Sequence, residues 1–563
     1  MKRICLLMLL ITFLAITTTV FSQSDDTLLV YYRGPQILNP HLAANNVDID
    51  LSGIFYEPLA TIDNEGNIIP VLAVEVPTLE NEELAADGTY VIWKLRNDVL
   101  WHDGEKFTSD DVVFTYNYVS NPEVGATTAG DYTTVDSVEA IDDYTVKVNF
   151  KGSNPAWFVP FVGFHGMILP EHLFADYAGS NSREAEANIE PIGTGPYVLT
   201  EFEAQDHIIV TANQNYWQEG KPRIKNVQIK DWGQLETSIR AVLQTGEADI
   251  IPGVNMEWKV LESMLAAGKG NLTVTVGSCV ERILLNWTDP NITDESSGEK
   301  SSINHPHPIL TDVNVRKAIT LAVDRSTIAD QLYGLGGIPT CNVLVYPTQY
   351  SSPNTNCDYN LEESARLLDE AGWIDSNGDG IRDKDGIELS LVFSTQTNAV
   401  RQQTQQIIKQ ALNSIGIEVE LRNVDGKSFF SSDPSDEDSV RHLYVDMAEY
   451  NECGYSSDPG VYMAGWTCAE RAQKSNNWSG KNLERYCNPK YDELVSLAQS
   501  ELDTEKRKEL FWKMNDMLVS EDVSLIPIVT RTTILAYNNR VKGVDGTGLA
   551  NDGVFWNIED WHF

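Results

Sequence analysis

The chain has 563 residues, of which 42% are apolar and 22% charged, a balance typical of soluble globular proteins. This composition excludes a collagen, a disordered tail and a polytopic membrane protein. Because a single core stops growing at roughly 250–300 residues, we expect two or more lobes. The formal net charge of −41 argues against nucleic acid or an anionic lipid surface as a partner.

The first residues predict export. Lys2 and Arg3 precede an apolar stretch, Ile4–Ile16, which has the length of a signal-peptide core and is short for a membrane span. Small or medium residues precede Gln23, where we expect cleavage. We therefore interpret residues 1–22 as a secretory signal peptide, with an N-terminal anchor helix as the alternative.

In chain order, apolar periodicity and end signals predict alternating strands and helices. The predicted strands are Thr27–Tyr32, Tyr90–Leu95, Thr145–Phe150, His207–Thr211, Ala248–Ile251, Ile387–Phe393, Ile417–Leu421 and Val523–Ile528. The predicted helices are one that begins at Thr108 or Ser109, then Gly233–Thr245, Val313–Tyr333, a segment capped by Asn360, Val400–Ile415 and Glu505–Val519. This alternation indicates α/β lobes with mainly parallel or mixed sheets.

Cysteine use agrees with export. Six of the seven cysteines follow the predicted cleavage point, and an even number in an exported chain favours disulfides. Six cysteines allow 15 pairings. We expect Cys341–Cys357 and Cys468–Cys487, which close short loops, and Cys279–Cys453 by elimination. A zinc site is the alternative, but the sequence has no Cys-x-x-Cys and no histidine two to four residues from these cysteines.

The common catalytic motifs are missing from the sequence. It has no Gly-x-Ser-x-Gly, no His-Glu-x-x-His, no P-loop and no Gly-x-Gly-x-x-Gly that opens a helix. His305 and His307 form the only histidine cluster, and the prolines between and after them indicate an exposed turn. Trp101 and Trp217 lie beside turns, so we interpret them first as packing anchors.

One segment, DSNGDGIRD, has the ligand spacing of a calcium loop. Asp375, Asn377, Asp379 and Asp383 occupy positions 1, 3, 5 and 9, with a glycine at position 6. Position 12 is Gly386, so the usual bidentate carboxylate is missing. The alternative is a hairpin loop built on Asn-Gly and Asp-Gly turns. Apart from this possible structural Ca²⁺, we expect no cofactor.

Four segments in order carry a family resemblance. They are LNPHLAANNVDIDLSGIFYEPLATIDNEGNIIPVLA followed by WKLRNDVLWHDGEKFTSDDVVFTY; PIGTGPYVLTEF with NQNYW; DVNVRKAITLAVDRSTI; and LLDEAGW, SIGIEVEL and YCNPKYDELV. Together they span Leu38 to Val495. In this order and spacing the sequence resembles the family 5 extracytoplasmic solute-binding proteins of ABC importers, a group that includes oligopeptide-, dipeptide- and nickel-binding proteins.

The resemblance implies an α/β, two-lobed periplasmic-binding-protein-like fold of class II, type C, with the lobes interleaved in sequence. One lobe would comprise residues 25–57, 190–275 and 510–563. An inserted subdomain would cover residues 58–189, and the other lobe residues 276–509. The family also implies that the protein is a monomer and that it is not an enzyme. It would reside in the periplasm or at the cell surface of a bacterium. It would close on a small-molecule ligand and deliver it to an ABC permease.

The family's ligand-binding segment falls at residues 446–459. Cys453 and Cys279 match a disulfide of the oligopeptide binder, which agrees with the pairing reached by elimination. However, the Asp that holds a peptide's amino group falls at Tyr455. The Arg that meets the peptide's carboxylate falls at Glu449, and an aromatic residue falls at Glu452.

These departures leave three alternatives for the ligand. Glu449, Glu452 or Asp458 receives a cationic group of a peptide-like ligand, or Tyr455 stacks on an oligosaccharide, or the carboxylates only face solvent. From the other lobe, the extended segment around Gln36 would approach the ligand. Weaker candidates follow the strand Ile387–Phe393, namely Gln396, Asn398 and Arg401.

A secreted hydrolase acting on an extracellular polymer is the rival function. Such an enzyme would also be acidic, disulfide-bonded and rich in tryptophan. It requires a carboxylate pair or a nucleophile constellation in a cleft, and abundant acidic residues prevent such a pair from being recognised in the sequence.

Overall fold

A computed structural model describes residues 26–63, 67–254, 256, 258–454, 457–544 and 553–563. The predicted signal peptide, residues 1–22, and Tyr455 lie outside the described residues. The strands are β1 (Thr27–Tyr32), β2 (Ala60–Ile62), β3 (Ile68–Pro70), β4 (Tyr90–Lys94), β5 (Val135–Asp142), β6 (Thr145–Phe150), β7 (Tyr197–Glu203), β8 (His207–Ala212), β9 (Asn226–Asp231), β10 (Ile250–Ile251), β11 (Gly270–Leu285), β12 (Thr293–Asp294), β13 (Glu299–Lys300), β14 (Gly337–Pro339), β15 (Asp383–Lys384), β16 (Ile387–Glu388), β17 (Ser390–Gln396), β18 (Glu418–Val424), β19 (Met447–Cys453) and β20 (Leu525–Asn538).

The helices surround these strands, and short 3-10 and π turns extend several of them. They are α1 (Asn46–Ser52), α2 (Ser109–Ser120), α3 (Glu171–Phe174), α4 (Leu235–Arg240), α5 (Trp258–Leu265), α6 (Val313–Leu321), α7 (Arg325–Ile328), α8 (Leu361–Glu370), α9 (Ala399–Ser414), α10 (Gly426–Phe429), α11 (Gly460–Ala464), α12 (Pro489–Ala498) and α13 (Thr504–Asp516). Across the described ranges, no helix combines the length and apolar character needed to cross a membrane.

Two long antiparallel strands, β11 and β20, form the centre of the largest sheet. Its order is β18-β17-β19-β11-β20-β10-β1-β9-β8-β7, and β14 also pairs with β20. On one side β9, β1 and β10 run parallel to one another. On the other side β18, β17 and β19 run parallel. The sheet therefore holds two α/β halves that are joined by β11 and β20.

A β-bulge separates the two halves. The β11–β20 register shifts between Val276, opposite Thr532, and Val280, opposite Thr530, so three residues of β11 face Arg531 alone. A side chain at Gly277 would approach the Arg531 carbonyl oxygen, since a Cβ there lies only 2.8 Å from it. Such a bulge bends the strand and marks the place where each strand passes from one lobe to the other.

The cores show where each lobe ends. Ile283 and Leu284, which follow the bulge, and Ile526 and Val529, which precede Arg531, pack in the second lobe. Ile534, Leu535 and Ala536 pack in the first lobe. The first boundary thus lies at the bulge, near the expected residue 276. The expected boundary at residue 510 is wrong, because α13 and its extension bury Phe511, Met514 and Leu518 in the second lobe.

The inserted segment, residues 58–189, carries its own three-stranded sheet, β4-β6-β5. Its apolar residues join those of the first lobe in one continuous core, as when Trp93 and Phe161 belong to the same cluster as Val30 and Tyr197. It is therefore an extension of the first lobe and has no separate core.

Several residues of the resemblance motifs meet at the junction with the inserted segment. Glu57 is buried there and accepts hydrogen bonds from the Tyr216 hydroxyl at 2.8 Å and from the Trp217 Nε1 at 3.1 Å. The Arg96 guanidinium lies 4.2 Å from the Trp217 ring centre. A Cβ at Gly193 would fall 1.8 Å from the Phe55 carbonyl oxygen. The motifs thus fix the architecture of the first lobe.

Most predicted elements are present. The strands Thr27–Tyr32 and Thr145–Phe150 coincide with β1 and β6, and Asn360 caps α8 by accepting from the Glu363 N–H. The single helix predicted over Val313–Tyr333 is instead α6 and α7, because Asp324 interrupts it and caps α7. All three expected disulfides are present: Cys279–Cys453, Cys341–Cys357 and Cys468–Cys487.

Burial of Glu57 makes stability depend on pH. Burial raises its pKa from 4.5 to about 7, and the nearby Glu559 carboxylate also raises it. Because the folded state holds this proton more tightly than the unfolded chain, the stabilisation is present at low pH and is lost as pH rises through about 7. For this group we expect the free energy of unfolding to fall by about 2 kcal/mol between pH 5 and pH 8.

Urea denaturation of the wild type and of Glu57→Gln over this pH range measures the effect. The variant should lose this part of the pH dependence, so that the difference between the two proteins changes with pH. A difference that stays constant from pH 5 to pH 8 would contradict the assignment.

Candidate ligand-binding site

The carboxyl ends of the parallel strands define a candidate binding cleft. In open α/β sheets ligands bind outside these ends. In the first lobe β1 and β9 end at Tyr32 and Asp231, and in the second lobe β17 and β19 end at Gln396 and Cys453. We name the carboxyl ends of β1 and β9 the first-lobe edge and those of β17 and β19 the second-lobe edge. The connecting strands β20 and β11 lie next to β10 and β19 in the sheet.

The first-lobe edge presents exposed polar groups and an aromatic ring. Gln36 is exposed, and its backbone N–H donates to Asp48 Oδ1 at 2.8 Å, which holds the extended segment after β1. The Arg33 guanidinium lies 5.3 Å from the Trp232 ring centre. Asp231 accepts the backbone N–H groups of Gly34 and Gly233, so it orders the loops after β1 and β9.

The second-lobe edge is dominated by β19, whose side chains alternate between two faces of the sheet. In the pairing with β11, Arg282 lies opposite Tyr450 and Glu281 opposite Asn451. Successive residues of a strand point to opposite faces of the sheet. Charged side chains of β11 and β19 therefore lie on both faces of the sheet in the second lobe.

On one face, Arg282 and Glu452 form an ion pair. The Arg282 side chain is 2% exposed, whereas that of Glu452 is 37% exposed. The guanidinium also donates to the hydroxyls of Tyr450 and Tyr462 at 3.3 Å and lies 5.1 Å from the Trp466 ring centre. The buried Arg282 therefore holds the Glu452 carboxylate in place, while the Glu452 side chain stays partly exposed at the second-lobe edge.

On the other face, Glu281 is shared by two arginines. Arg401 Nε and Nη2 donate to its two oxygens at 3.0 and 3.2 Å, and Arg531 Nη1 donates at 3.2 Å. Arg401 Nη2 also donates to Asn451 Oδ1 at 2.6 Å. We name Glu281, Arg401, Asn451 and Arg531, together with Glu449, the Glu281 cluster.

Glu449 lies in this cluster without a hydrogen bond. Its side chain is fully buried, and neither carboxylate oxygen has a hydrogen-bonding partner in the described part of the chain. Burial raises its pKa well above the usual range, and the Glu281 charge raises it further, while Arg401 lowers it. Burial of a carboxylate without hydrogen-bonding partners disfavours its charged form, so the surroundings of Glu449 favour the protonated form.

The structure separates the predicted site residues. Glu452 and Gln36 lie partly or fully exposed at the two edges, and they stay candidates for ligand contact. Glu449 is buried and does not reach solvent in this structure, and its contact with a ligand stays a prediction. Asp458 is also buried, where it pairs with Arg507 and accepts the Gly460 N–H, and its ligand role stays a prediction as well.

Two of the three weaker candidates, Asn398 and Arg401, have structural roles. Asn398 caps α9 by accepting the backbone N–H groups of Val400 and Arg401, which fixes the start of this helix at the second-lobe edge. Arg401 is buried and directs its guanidinium to Glu281, away from solvent. Direct contact of either side chain with a ligand stays a prediction.

The DSNGDGIRD segment forms a tight loop between α8 and β15. Asp375 accepts the N–H groups of Gly378 and Gly380, Asp379 accepts that of Ile381, and Asp383 accepts hydrogen bonds from Ser376. In these bonds the carboxylates accept hydrogen bonds from groups of the same loop and stabilise its turns. Among the described residues, no group of three or more His, Cys, Asp or Glu side chains is placed to hold a metal ion. Calcium binding by Asp375, Asn377, Asp379 and Asp383 stays a prediction.

Sequence reasoning missed Glu281, Arg282 and Arg531. A signal was available, because Glu281 and Arg282 interrupt an apolar run, CVERILL, where a buried charge requires a partner. The partner positions, Arg401, Glu452 and Arg531, are 120 or more residues away, so only the fold reveals the pairs.

Comparison with known proteins agrees with this architecture. A family model described as bacterial extracellular solute-binding proteins, family 5, middle part, matches residues 67–474. The chain belongs to this family. It is therefore an extracytoplasmic substrate-binding protein of an ABC transporter, as predicted.

Three proteins illustrate the range of ligands named for proteins that this chain resembles. The chain is 28% identical over 412 residues to the oligopeptide-binding protein AppA of Bacillus subtilis, which covers 72% of this chain and 70% of AppA. It is 23% identical over 512 residues to the glutathione-binding protein GsiB of Pectobacterium atrosepticum, covering 90% and 88%. The structure of NikZ from Campylobacter jejuni with Ni(L-His) matches at a TM-score of 0.66 and 22% identity, covering 96% of this chain and 100% of NikZ. The two-lobed α/β fold is thus confirmed.

The two carboxylates of the Glu281 cluster should respond differently to neutralisation. Because burial favours the neutral form of Glu449, Glu449→Gln exchanges it for a neutral group of similar size, and we expect a change of about 1 kcal/mol or less at pH 7. Glu281→Gln leaves two guanidiniums without a counter-charge, and we expect a loss of about 3 kcal/mol. Urea denaturation of both variants measures the difference. A loss for Glu449→Gln as large as that for Glu281→Gln would show that Glu449 is charged.

Proposed function

We propose that this solute-binding protein captures a peptide-like ligand between the first-lobe and second-lobe edges and delivers it, chemically unchanged, to an ABC permease. The single observation that carries the proposal is that both edges present charged groups of both signs. Arg33 and Asp231 lie at the first edge, and Glu452 and Arg531 at the second. A short peptide is zwitterionic, and such a ligand pairs with both signs.

Glu452 is the proposed partner for an ammonium group of the ligand. Its carboxylate is held in place by Arg282, and a fixed acceptor does not lose side-chain freedom when the ligand binds. Gln36 follows β1 at the opposite edge, where its extended backbone segment is the proposed contact from the first lobe. A ligand that touches both edges favours the closed arrangement by its differential affinity.

The relatives support a peptide-like ligand. AppA and GsiB are named for binding an oligopeptide and glutathione, and both ligands have free amino and carboxylate groups. NikZ was solved with Ni(L-His), so a metal–amino acid complex is a competing ligand. The proposal also includes export by residues 1–22, residence in the periplasm or at the cell surface, and action as a monomer.

Native mass spectrometry of the purified chain tests the ligand class. We expect one-to-one binding from a pool of tri- to pentapeptides, with every bound peptide released intact, and no binding of maltotriose or of Ni²⁺ with L-histidine. Binding of the sugar or the nickel complex without any peptide would contradict the proposal. Accumulation of shortened peptides or sugars would instead favour the secreted hydrolase.

A further inference from the structure

Arg531 is the exposed member of the Glu281 cluster. It lies on β20 directly opposite the bulge of β11, whose last residue, Cys279, pairs with Cys453 at the end of β19. This places Arg531 at the level of the second-lobe edge. Its side chain is 38% exposed, whereas that of Arg401 is 7% exposed.

Two guanidiniums of the cluster share one hydrogen-bonded carboxylate. Arg401 uses two nitrogens on Glu281, and Arg531 adds only one hydrogen bond to an oxygen that Arg401 already contacts. Glu449 makes no hydrogen bond to either guanidinium, and burial raises its pKa and favours its neutral form. Glu281 is therefore the one carboxylate of the cluster that hydrogen-bonds both guanidiniums, so Arg531 shares its counter-charge with Arg401.

The guanidinium of Arg531 is also held in a fixed orientation. It lies 5.1 Å from the centre of the Tyr333 ring while Nη1 donates to Glu281. An arginine that is oriented in this way keeps further N–H donors for a planar anion such as a carboxylate.

We infer that Arg531 is a specificity-determining residue that receives a carboxylate of the ligand, which is the C-terminal carboxylate when the ligand is a peptide. This inference rests on the proposed function and adds the polarity of binding to it. The peptide lies with its carboxylate toward the bulge between β11 and β20. Because both strands change lobes at this bulge, the carboxylate contacts the place where the lobes bend relative to each other.

Paired peptide pools test the inference. Pools of tri- to pentapeptides without Asp and Glu are prepared once with free C-termini and once as C-terminal amides. The most enriched free peptide and its amide are then measured by isothermal titration calorimetry. We expect the wild type to bind the free acid about tenfold or more tightly than the amide, and Arg531→Gln to lose this preference.

Two variants control the measurement. Arg531→Lys keeps the charge and should retain part of the preference. Arg422→Gln removes an exposed arginine of β18 that pairs with Asp438 and should retain all of it. Folding of each variant is checked by circular dichroism and urea denaturation. If Arg531→Gln does not fold, the wild-type preference and its reduction in Arg531→Lys decide the matter.

The outcomes separate the inference from the proposed function. Equal binding of acid and amide by the wild type, or an unchanged preference in Arg531→Gln, overturns the role of Arg531 while peptide binding stands. Failure of both pools to bind the wild type overturns the peptide proposal, and the role of Arg531 falls with it. A preference that is lost in Arg531→Gln, reduced in Arg531→Lys and kept in Arg422→Gln supports both.

Discussion

The antiparallel pairing of β11 and β20 is the constraint on which the rest of the structure depends. Each strand belongs to both lobes, so the lobes cannot be separated without breaking this ladder. The pairing shifts register at the bulge opposite Arg531 and again between Glu281 and Arg282, inside the second lobe. The bulge lies between the two lobes, which makes it a natural position for bending, because few residues need to change conformation there.

The same strands account for the position of the charged groups. β11 lies next to β19, so Glu281 and Arg282 are carried into the interior on opposite faces of the second lobe. A buried charge is costly unless it is paired, and each face supplies a partner, Arg401 for Glu281 and Glu452 for Arg282. Pairing holds Glu452 and Arg531 at the edge in fixed orientations, which lowers the conformational cost of ligand binding.

Much of the fold could be predicted from the sequence, because local signals identified its elements. Alternation in TVKVNF predicted β6, and the Asn360 cap predicted the start of α8. The two strands that connect the lobes, β11 and β20, are harder to predict from the sequence. Gly277, Ser278 and the charged pair interrupt the periodicity of β11, and β20 contains Pro527 and a run of threonines, so only the first part of β20 was predicted.

The candidate site could be predicted only in part. The resemblance indicated the segment 446–459, and Glu452 does lie at the second-lobe edge. It could not show that Glu449 and Asp458 point into the lobe, because their orientation depends on the pairing of β19 with β11 and on the distant Arg507. Long-range ion pairs leave no periodic pattern in a sequence, and the roles of Arg401 and Arg531 became visible only in the fold.

The central claim is that two lobes close on a solute that leaves unchanged. Small-angle X-ray scattering of the purified chain, with and without a saturating peptide recovered from the binding pool, tests it most directly. We expect a smaller radius of gyration with the peptide bound, and a peptide of unchanged mass after denaturation. An unchanged radius of gyration at saturation, or a cleaved peptide, would contradict it.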